Sequence, residues 1–275
     1  MTNFVCSTCG TQFAATEKPL ECCAICEDPR QYVPPAGQQW TTLEELRATH
    51  RNSWQSCEPG LFGIGTVPEF AIGQRALLVR TNEGNFLWDS ISLLDQATVE
   101  LLHSLGGLRG IAISHPHYYT TMVEWSRAFD DAPIYLHAAD RQWVMRPNKA
   151  IQFWEEEEKE LAPGLTLLRC GGHFPGATIL HWRDGGKGRG ALLTGDILQV
   201  TPDGMVSFMF SYPNLIPLPA GAVETIGRKV AERAFDRIYG AFWGRTIPSN
   251  AREKVRQSVT RYLAAIDSLG WAERA

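Results

Sequence analysis

Two histidines separated by one proline, in the run Ser114-His115-Pro116-His117-Tyr118-Tyr119-Thr120, follow the apolar stretch Gly110-Ile111-Ala112-Ile113 and precede a helical pattern. A strand that ends in a tight loop can aim imidazoles at i and i+2 toward one point. Pro116 stiffens that turn by fixing its own φ. Imidazole pairs of this kind are common ligands for zinc, iron and related metals. A chain built around such a loop has to bring further ligands from other strand ends, so the loop constrains the fold as well as the chemistry.

Three later or earlier motifs have the right form. Gly171-Gly172-His173 sits between two strand candidates, in a loop whose glycines let the backbone turn sharply. Thr194-Gly195-Asp196 ends the apolar run Ala191-Leu192-Leu193 and presents a carboxylate at a strand terminus. Trp88-Asp89-Ser90 ends an earlier strand in the same way. A histidine pair, a third histidine and an aspartate on separate strand ends can converge on one ion.

A second ligand set opens the chain. Of seven cysteines, five lie in the first 26 residues. Cys6-x-x-Cys9 and Cys23-x-x-Cys26 are two knuckles with thirteen residues between them. Two such pairs complete a tetrahedron of thiolates around zinc, and this clustering suits a metal site better than a disulfide framework. Gly10 after Cys9 fits the left-handed turn a knuckle needs. Cys22 is a neighbour able to compete for the role of Cys23. The segment resembles a zinc ribbon or rubredoxin-like knuckle pair, with zinc expected and iron the alternative. So small a segment has little core of its own, and metal binding would supply much of its folding energy.

Composition excludes several classes of function. The 275-residue chain has a formal net charge of −4 with charges dispersed, so no basic stripe offers a nucleic-acid footprint. No stretch is long and apolar enough to span a membrane, and the N-terminus lacks a basic-then-apolar leader. A cytoplasmic protein with a small-molecule substrate is the expectation. The run Glu155-Glu156-Glu157-Glu158 reads as a solvated helix face.

Hydrophobic patterning predicts strands near 61–67, 76–79, 85–88, 111–113, 134–136, 165–169, 178–182, 191–194 and 237–239. Helices are predicted near 42–46, 94–105, 121–129, 222–234 and 250–269, the first capped by Thr41 or Thr42. The aromatic set Trp143, Trp154, Phe208, Phe210, Tyr212 and Trp243 is assigned mainly to the core, with the part near 208–213 a candidate substrate wall. His181 is expected to be satisfied within a strand, and Cys57 and Cys170 to be reduced thiols.

The order of these motifs resembles the metallo-β-lactamase-fold superfamily over about residues 60–268. The superfamily loop reads His-x-His-x-Asp-His, followed by a glycine-flanked His, a Gly-Asp and a last His after a late strand. His115, His117, His173 and Asp196 match in order, and Asp89 matches an aspartate that supports the loop by hydrogen bonding. The resemblance implies an α+β chain with an αβ/βα four-layer sandwich and the metal at the edge between its sheets. The expected division is a four-cysteine, zinc-ribbon-like module at 1–36, a linker and short helix at 37–59, and the metallo-β-lactamase-like domain at 60–275.

Departures from the pattern carry as much information. Tyr119 and Thr120 stand where the family loop has its Asp and second His. The late segment Gly240-Ala241-Phe242-Trp243-Gly244 has no histidine. These positions build the family's second metal site, so a single ion, zinc or iron, is expected on His115, His117, His173 and Asp196. Three imidazoles suit a zinc that acidifies water to a pKa of about 7. Asp196 is the candidate to orient that water or take its proton, and Tyr119 is the candidate phenol for an oxyanion. The leading expectation is a single-metal hydrolase of an ester, lactone, thioester or amide. The alternatives are a non-catalytic metal-binding or partner-binding protein, and a mononuclear iron oxygenase using His115, His173 and Asp196.

Overall fold

The computed structural model describes residues 1–267. Its contacts divide the chain into two compact units, Met1–Glu155 and a second beginning at Glu156.

A seven-stranded sheet forms the frame of the first unit. Its strands run in sequence order across the sheet: Arg51–Glu58, Leu61–Val67, Ala76–Thr81, Gly84–Trp88, Gly110–Ala112, Ile134–His137 and Ile151–Trp154. The first four form an antiparallel meander. The last three join in parallel, as helix Gln96–Ser104, helix Met122–Ala128 and the 3-10 stretch Ala138–Trp143 supply the three crossovers that parallel pairing needs. Leu77, Leu78, Val79, Phe86, Leu87 and Ile111 are all buried, which explains why these central strands read as continuous apolar runs. Because Gly84–Trp88 and Gly110–Ala112 are parallel with Trp88 opposite Ala112, their C-terminal ends present Asp89 and the histidine loop at one edge.

The strand Arg51–Glu58 lies in the stretch read from the sequence as linker and short helix. Among the described residues it pairs with Leu61–Val67 alone, at the sheet margin, and its half-exposed polar residues give no alternation to read. The preceding helix Leu43–Thr49 starts with a complete capping box, Thr42 with Glu45.

The N-terminal segment is stitched into this unit. Strand Val5–Cys6 pairs with Trp40–Thr41, and Val5 packs with Leu46 and Leu93. The four cysteines pack with Phe13 and Ile25 against Trp40, Ile72, Trp143 and Met145. The little core that so short a segment can make is therefore completed by side chains far along the sequence.

The second unit is built on a six-stranded sheet, in the order Glu158–Ala162, Leu165–Arg169, Thr178–Trp182, Ala191–Leu193, Arg237–Tyr239 and Thr246–Ile247. Neighbours in it are antiparallel except Ala191–Leu193 with Arg237–Tyr239. The strand Ala191–Leu193 therefore runs in the same direction as Leu165–Arg169, two places away. Their C-terminal ends, which lead to His173 and Asp196, fall at the same sheet edge. Helix Ala220–Ala231 leads into Arg237–Tyr239, and helix Ala251–Ile266 follows the last strand, ending short of the predicted 269, where residues past 267 lie outside the described ones.

The glutamate run corrects one expectation. Residues 155–158 are exposed as predicted, but they form a bend that leads into strand Glu158–Ala162 rather than a helix face. Charge alone has no period, and the β-branched and aromatic residues of Ile151–Trp154 just before it hold the chain extended. Among the described residues no helix is long and apolar enough to cross a membrane.

Candidate metal centres

Cys6, Cys9, Cys23 and Cys26 are buried and close on one another. The Sγ atoms of Cys6 and Cys26 are 3.6 Å apart, as are those of Cys9 and Cys23. A disulfide would bring them to about 2.05 Å, whereas zinc–sulfur bonds of about 2.3 Å place the corners of a tetrahedron about 3.8 Å apart. The spacing thus fits a four-thiolate ion. The Cys9 amide and the Gln38 side chain donate to the Cys6 sulfur, at 3.5 and 3.0 Å. Without a cation, burial drives the Cys9 thiol well above its ordinary value, while hydrogen bonds from Cys23, Cys26 and Cys9 pull Cys6 down. Four thiols crowded into one dry pocket cannot all ionise unless positive charge joins them. Cys23 takes the fourth place, and its rival Cys22 is exposed.

Gly10 follows the first knuckle with φ +79°. A Cβ there would lie 2.3 Å from the Ser92 hydroxyl oxygen, so both backbone and space demand glycine.

The histidine loop is held by its own unit. Pro116–Tyr118 is one turn of 3-10 helix with His115 as the extended residue before it. His115 and His117 are 1% and 3% exposed, with ring centroids 5.1 Å apart. His115 Nδ1 pairs with the Ser114 hydroxyl at 2.9 Å. Asp89, buried and held at φ +60°, accepts the Ser114 amide on Oδ1 at 2.7 Å. This is the supporting role expected of it: the carboxylate fixes the backbone that launches the loop.

Tyr119 is buried, and burial first, then the Asp140 carboxylate, push its phenol well above the usual value. It keeps its proton at neutral pH and can therefore donate it in a hydrogen bond. Thr120 is buried with φ +33°, and its hydroxyl lies 2.6 Å from that of Ser90.

In the second unit, His173 follows two glycines with φ of +70° and +83°. A Cβ on Gly172 would press within 2.9 Å of Ile226, so the approach of this loop to helix Ala220–Ala231 requires its absence. His173 Nδ1 is 3.1 Å from the Met209 carbonyl oxygen. A carbonyl only accepts, so Nδ1 carries the proton and Nε2 carries the lone pair. Asp196 is 5% exposed and lies in the turn after Ala191–Leu193. The turn is fixed by the Thr194 hydroxyl donating to the Leu198 carbonyl at 3.0 Å and by the Ala241 amide donating to the Gly195 carbonyl at 3.0 Å. Tyr212 links the two ligand candidates of this unit: its ring lies 5.9 Å from that of His173, and its hydroxyl donates to the Asp196 carbonyl. Burial, then the Asp196 charge, hold that phenol protonated.

Sequence reasoning names the ligand candidates and Asp89 but misses most of what orients them. Met209 acts through a backbone carbonyl, which no side-chain pattern reports. Tyr212 stands out in the sequence only as one of several aromatics. Ser114 is adjacent to His115, and a hydroxyl next to a candidate ligand is the available signal. His181 is satisfied in its strand as expected, through the Ala234 carbonyl at 2.9 Å.

No protein-family model matches the chain. The uncharacterized protein YmaE of Bacillus subtilis (strain 168) is 50% identical over 271 residues, covering 98% of each chain. Among solved structures, the DIM-1 metallo-β-lactamase aligns with a TM-score of 0.57 at 14% identity, over 76% of this chain and 96% of that one. The metallo-β-lactamase FIM-1 from Pseudomonas aeruginosa, in its mono-zinc form, aligns with a TM-score of 0.56 at 15% identity, over 76% and 95%.

Proposed function

This chain belongs to the family of Bacillus subtilis YmaE and has the metallo-β-lactamase fold, and from that premise we propose that it is a single-metal hydrolase of an ester, lactone, thioester or amide bond. His115, His117, His173 and Asp196 are the proposed ligands, each offering one ligand atom. The observation that carries the reading is the way the imidazoles are held. Nδ1 of His173 donates to a carbonyl, which leaves Nε2 as its nitrogen for a metal, and Nδ1 of His115 is engaged by a hydroxyl, which restrains the ring with Nε2 on its far side. Ligating histidines are oriented in this manner. Three imidazoles and a carboxylate form a donor set that suits zinc and also accepts iron. The mono-zinc form of FIM-1 is consistent with a single ion held in this fold.

When bound, the ion would polarise the scissile carbonyl and acidify a water. The protein's own groups do the rest. Asp196, on its braced turn, would receive the proton from the attacking water and deliver it to the leaving group. Tyr119, protonated because it is buried, would donate to the developing oxyanion. The Met209 carbonyl and the Ser114 hydroxyl keep the two rings from rotating, and Asp89 keeps the loop from shifting.

Elemental analysis of the purified chain, with a panel of esters, lactones, thioesters and amides, tests this reading. Two metal equivalents per chain are expected, zinc in the cysteine cluster and one ion on the histidines. His115→Ala and His173→Ala should each remove one equivalent together with hydrolysis. Unchanged metal content in both variants would refute the site. Iron on the histidines with dioxygen uptake would favour an oxygenase instead.

A further inference from the structure

The underside of the histidine loop is bonded to the cysteine module, within one compact unit. The Gln12 amide, three residues after Cys9, donates to the Thr120 carbonyl at 3.1 Å. Ser92 donates to the Gly10 carbonyl at 2.9 Å, and Thr121 donates to the carbonyls of Ile91 and Ser92 at 3.1 and 3.0 Å. Ser90 lies between them, donating to the Tyr118 carbonyl at 3.0 Å and meeting the Thr120 hydroxyl. On the other side, the buried Arg146 joins the Gln12 side chain and Glu124, in the helix that follows the loop. The Ala14 amide donates to the Met145 carbonyl at 3.1 Å, and Met145 and Trp143 pack on the cysteine cluster.

We propose that the metal-loaded cysteine cluster is the brace that sets the histidine loop, so that losing the cysteine-bound metal loosens residues 114–121 and weakens the hold of His115 and His117 on their ion. The second clause rests on the proposed role of those histidines as ligands; the first does not. Residues 7–14 owe their path to Cys6 and Cys9, and a knuckle that size does not hold its shape without the ion. The Gln12 amide it offers to Thr120, and the Gly10 carbonyl it offers to Ser92, lie on that path. Thr120 then has a use of its own: it spends its carbonyl and hydroxyl on the brace. Coupling of this kind is reciprocal in free energy.

Hydrogen exchange on the full chain tests the brace. In Cys26→Ala, which breaks the cluster from the helix that carries Cys26, exchange of peptides covering 114–121 should rise at least tenfold while 178–182 stays unchanged. Ser92→Ala keeps all four cysteines and should speed the same peptides about fivefold, the equivalent of one hydrogen bond of ~1 kcal/mol. Unchanged exchange at 114–121 in either variant, or an equal rise at 178–182, overturns the proposal. Cobalt titration reads the second clause. The cysteine site reports through thiolate charge-transfer absorption and the nitrogen site through weak d–d bands. In Ser92→Ala the nitrogen site should bind cobalt at least threefold more weakly, and equal affinity overturns that clause. A wild-type chain that shows thiolate absorption alone overturns the hydrolase reading and the second clause together, and the exchange result then decides the first clause by itself.

Discussion

The two proposed ligand sets of this protein are made in opposite ways. The four cysteines come from two knuckles within 21 residues, and their sulfurs gather on one another at 3.6 Å, with the Gln38 side chain donating to the Cys6 sulfur at 3.0 Å. The histidines and Asp196 come from the ends of separate strands, and His115, His173 and Asp196 are each held by a partner that is not a ligand: Ser114, Met209, Tyr212. On the proposed reading, the first set takes its final shape with the metal, whereas each half of the second is shaped by a sheet edge of its own unit. Stability should therefore depend on the first and chemistry on the second.

The sharpest way to break this contrast is to unload each set in turn. Cys6→Ser should lower Tm by roughly 10 °C or more in calorimetry. Structural zinc carries an apparent binding energy of about 10–16 kcal/mol, and each kcal/mol moves a chain of this size by about 2–4 °C. His115→Ala should lower Tm by roughly 3 °C while emptying its site. Equal losses would erase the distinction. Next in size, Asp196→Asn should cut kcat by about 10²–10⁴-fold with both metal equivalents retained, measured by steady-state kinetics beside elemental analysis. A variant that loses metal in step with activity would make Asp196 a ligand with no proton-handling role.

Asp89→Asn should be milder. It leaves the histidines in place but weakens the acceptor for the Ser114 amide. Metal affinity of the histidine site should fall by about 10–100-fold in chelator competition, with the cysteine site unmoved. His181 supplies the smallest effect and a control, as a buried imidazole outside both ligand sets. Burial lowers its pKa below 6.5, so the folded chain takes up fewer protons than the unfolded chain in acid. The neutral ring's contribution is present above pH 6.5 and declines as the pH falls below it. His181→Gln should flatten the dependence of Tm on pH between about 7 and 5, and an unchanged slope would assign the acid sensitivity to other groups.

What can be read in the sequence divides along similar lines. The apolar runs place Leu165–Arg169, Thr178–Trp182 and Arg237–Tyr239 to the residue, because these strands sit inside a sheet and bury most of their side chains. Arg51–Glu58 escapes such a reading, since an edge strand of half-exposed polar residues has no pattern to betray it. The small hairpins Gln199–Val200 with Val206–Ser207 and Met209–Ser211 with Ile216–Pro217 are too short for periodicity to register. Ligand candidates are legible because metal chemistry restricts them to a few residue types at strand ends. The cysteine segment is legible as a knuckle pair but not as a partner of Trp143 and Met145, since nothing in a sequence marks which distant side chains will close over a small core.

The pairing of Val5–Cys6 with Trp40–Thr41 also bears on how such a chain can change over generations. A module tethered by one linker is a cassette that recombination can drop or trade. This one is sewn in at both ends and shares its interior with residues encoded more than a hundred codons downstream. A lineage that discarded it would expose Trp143 and Met145 to water in the same event, so the two parts are expected to be inherited together or replaced together.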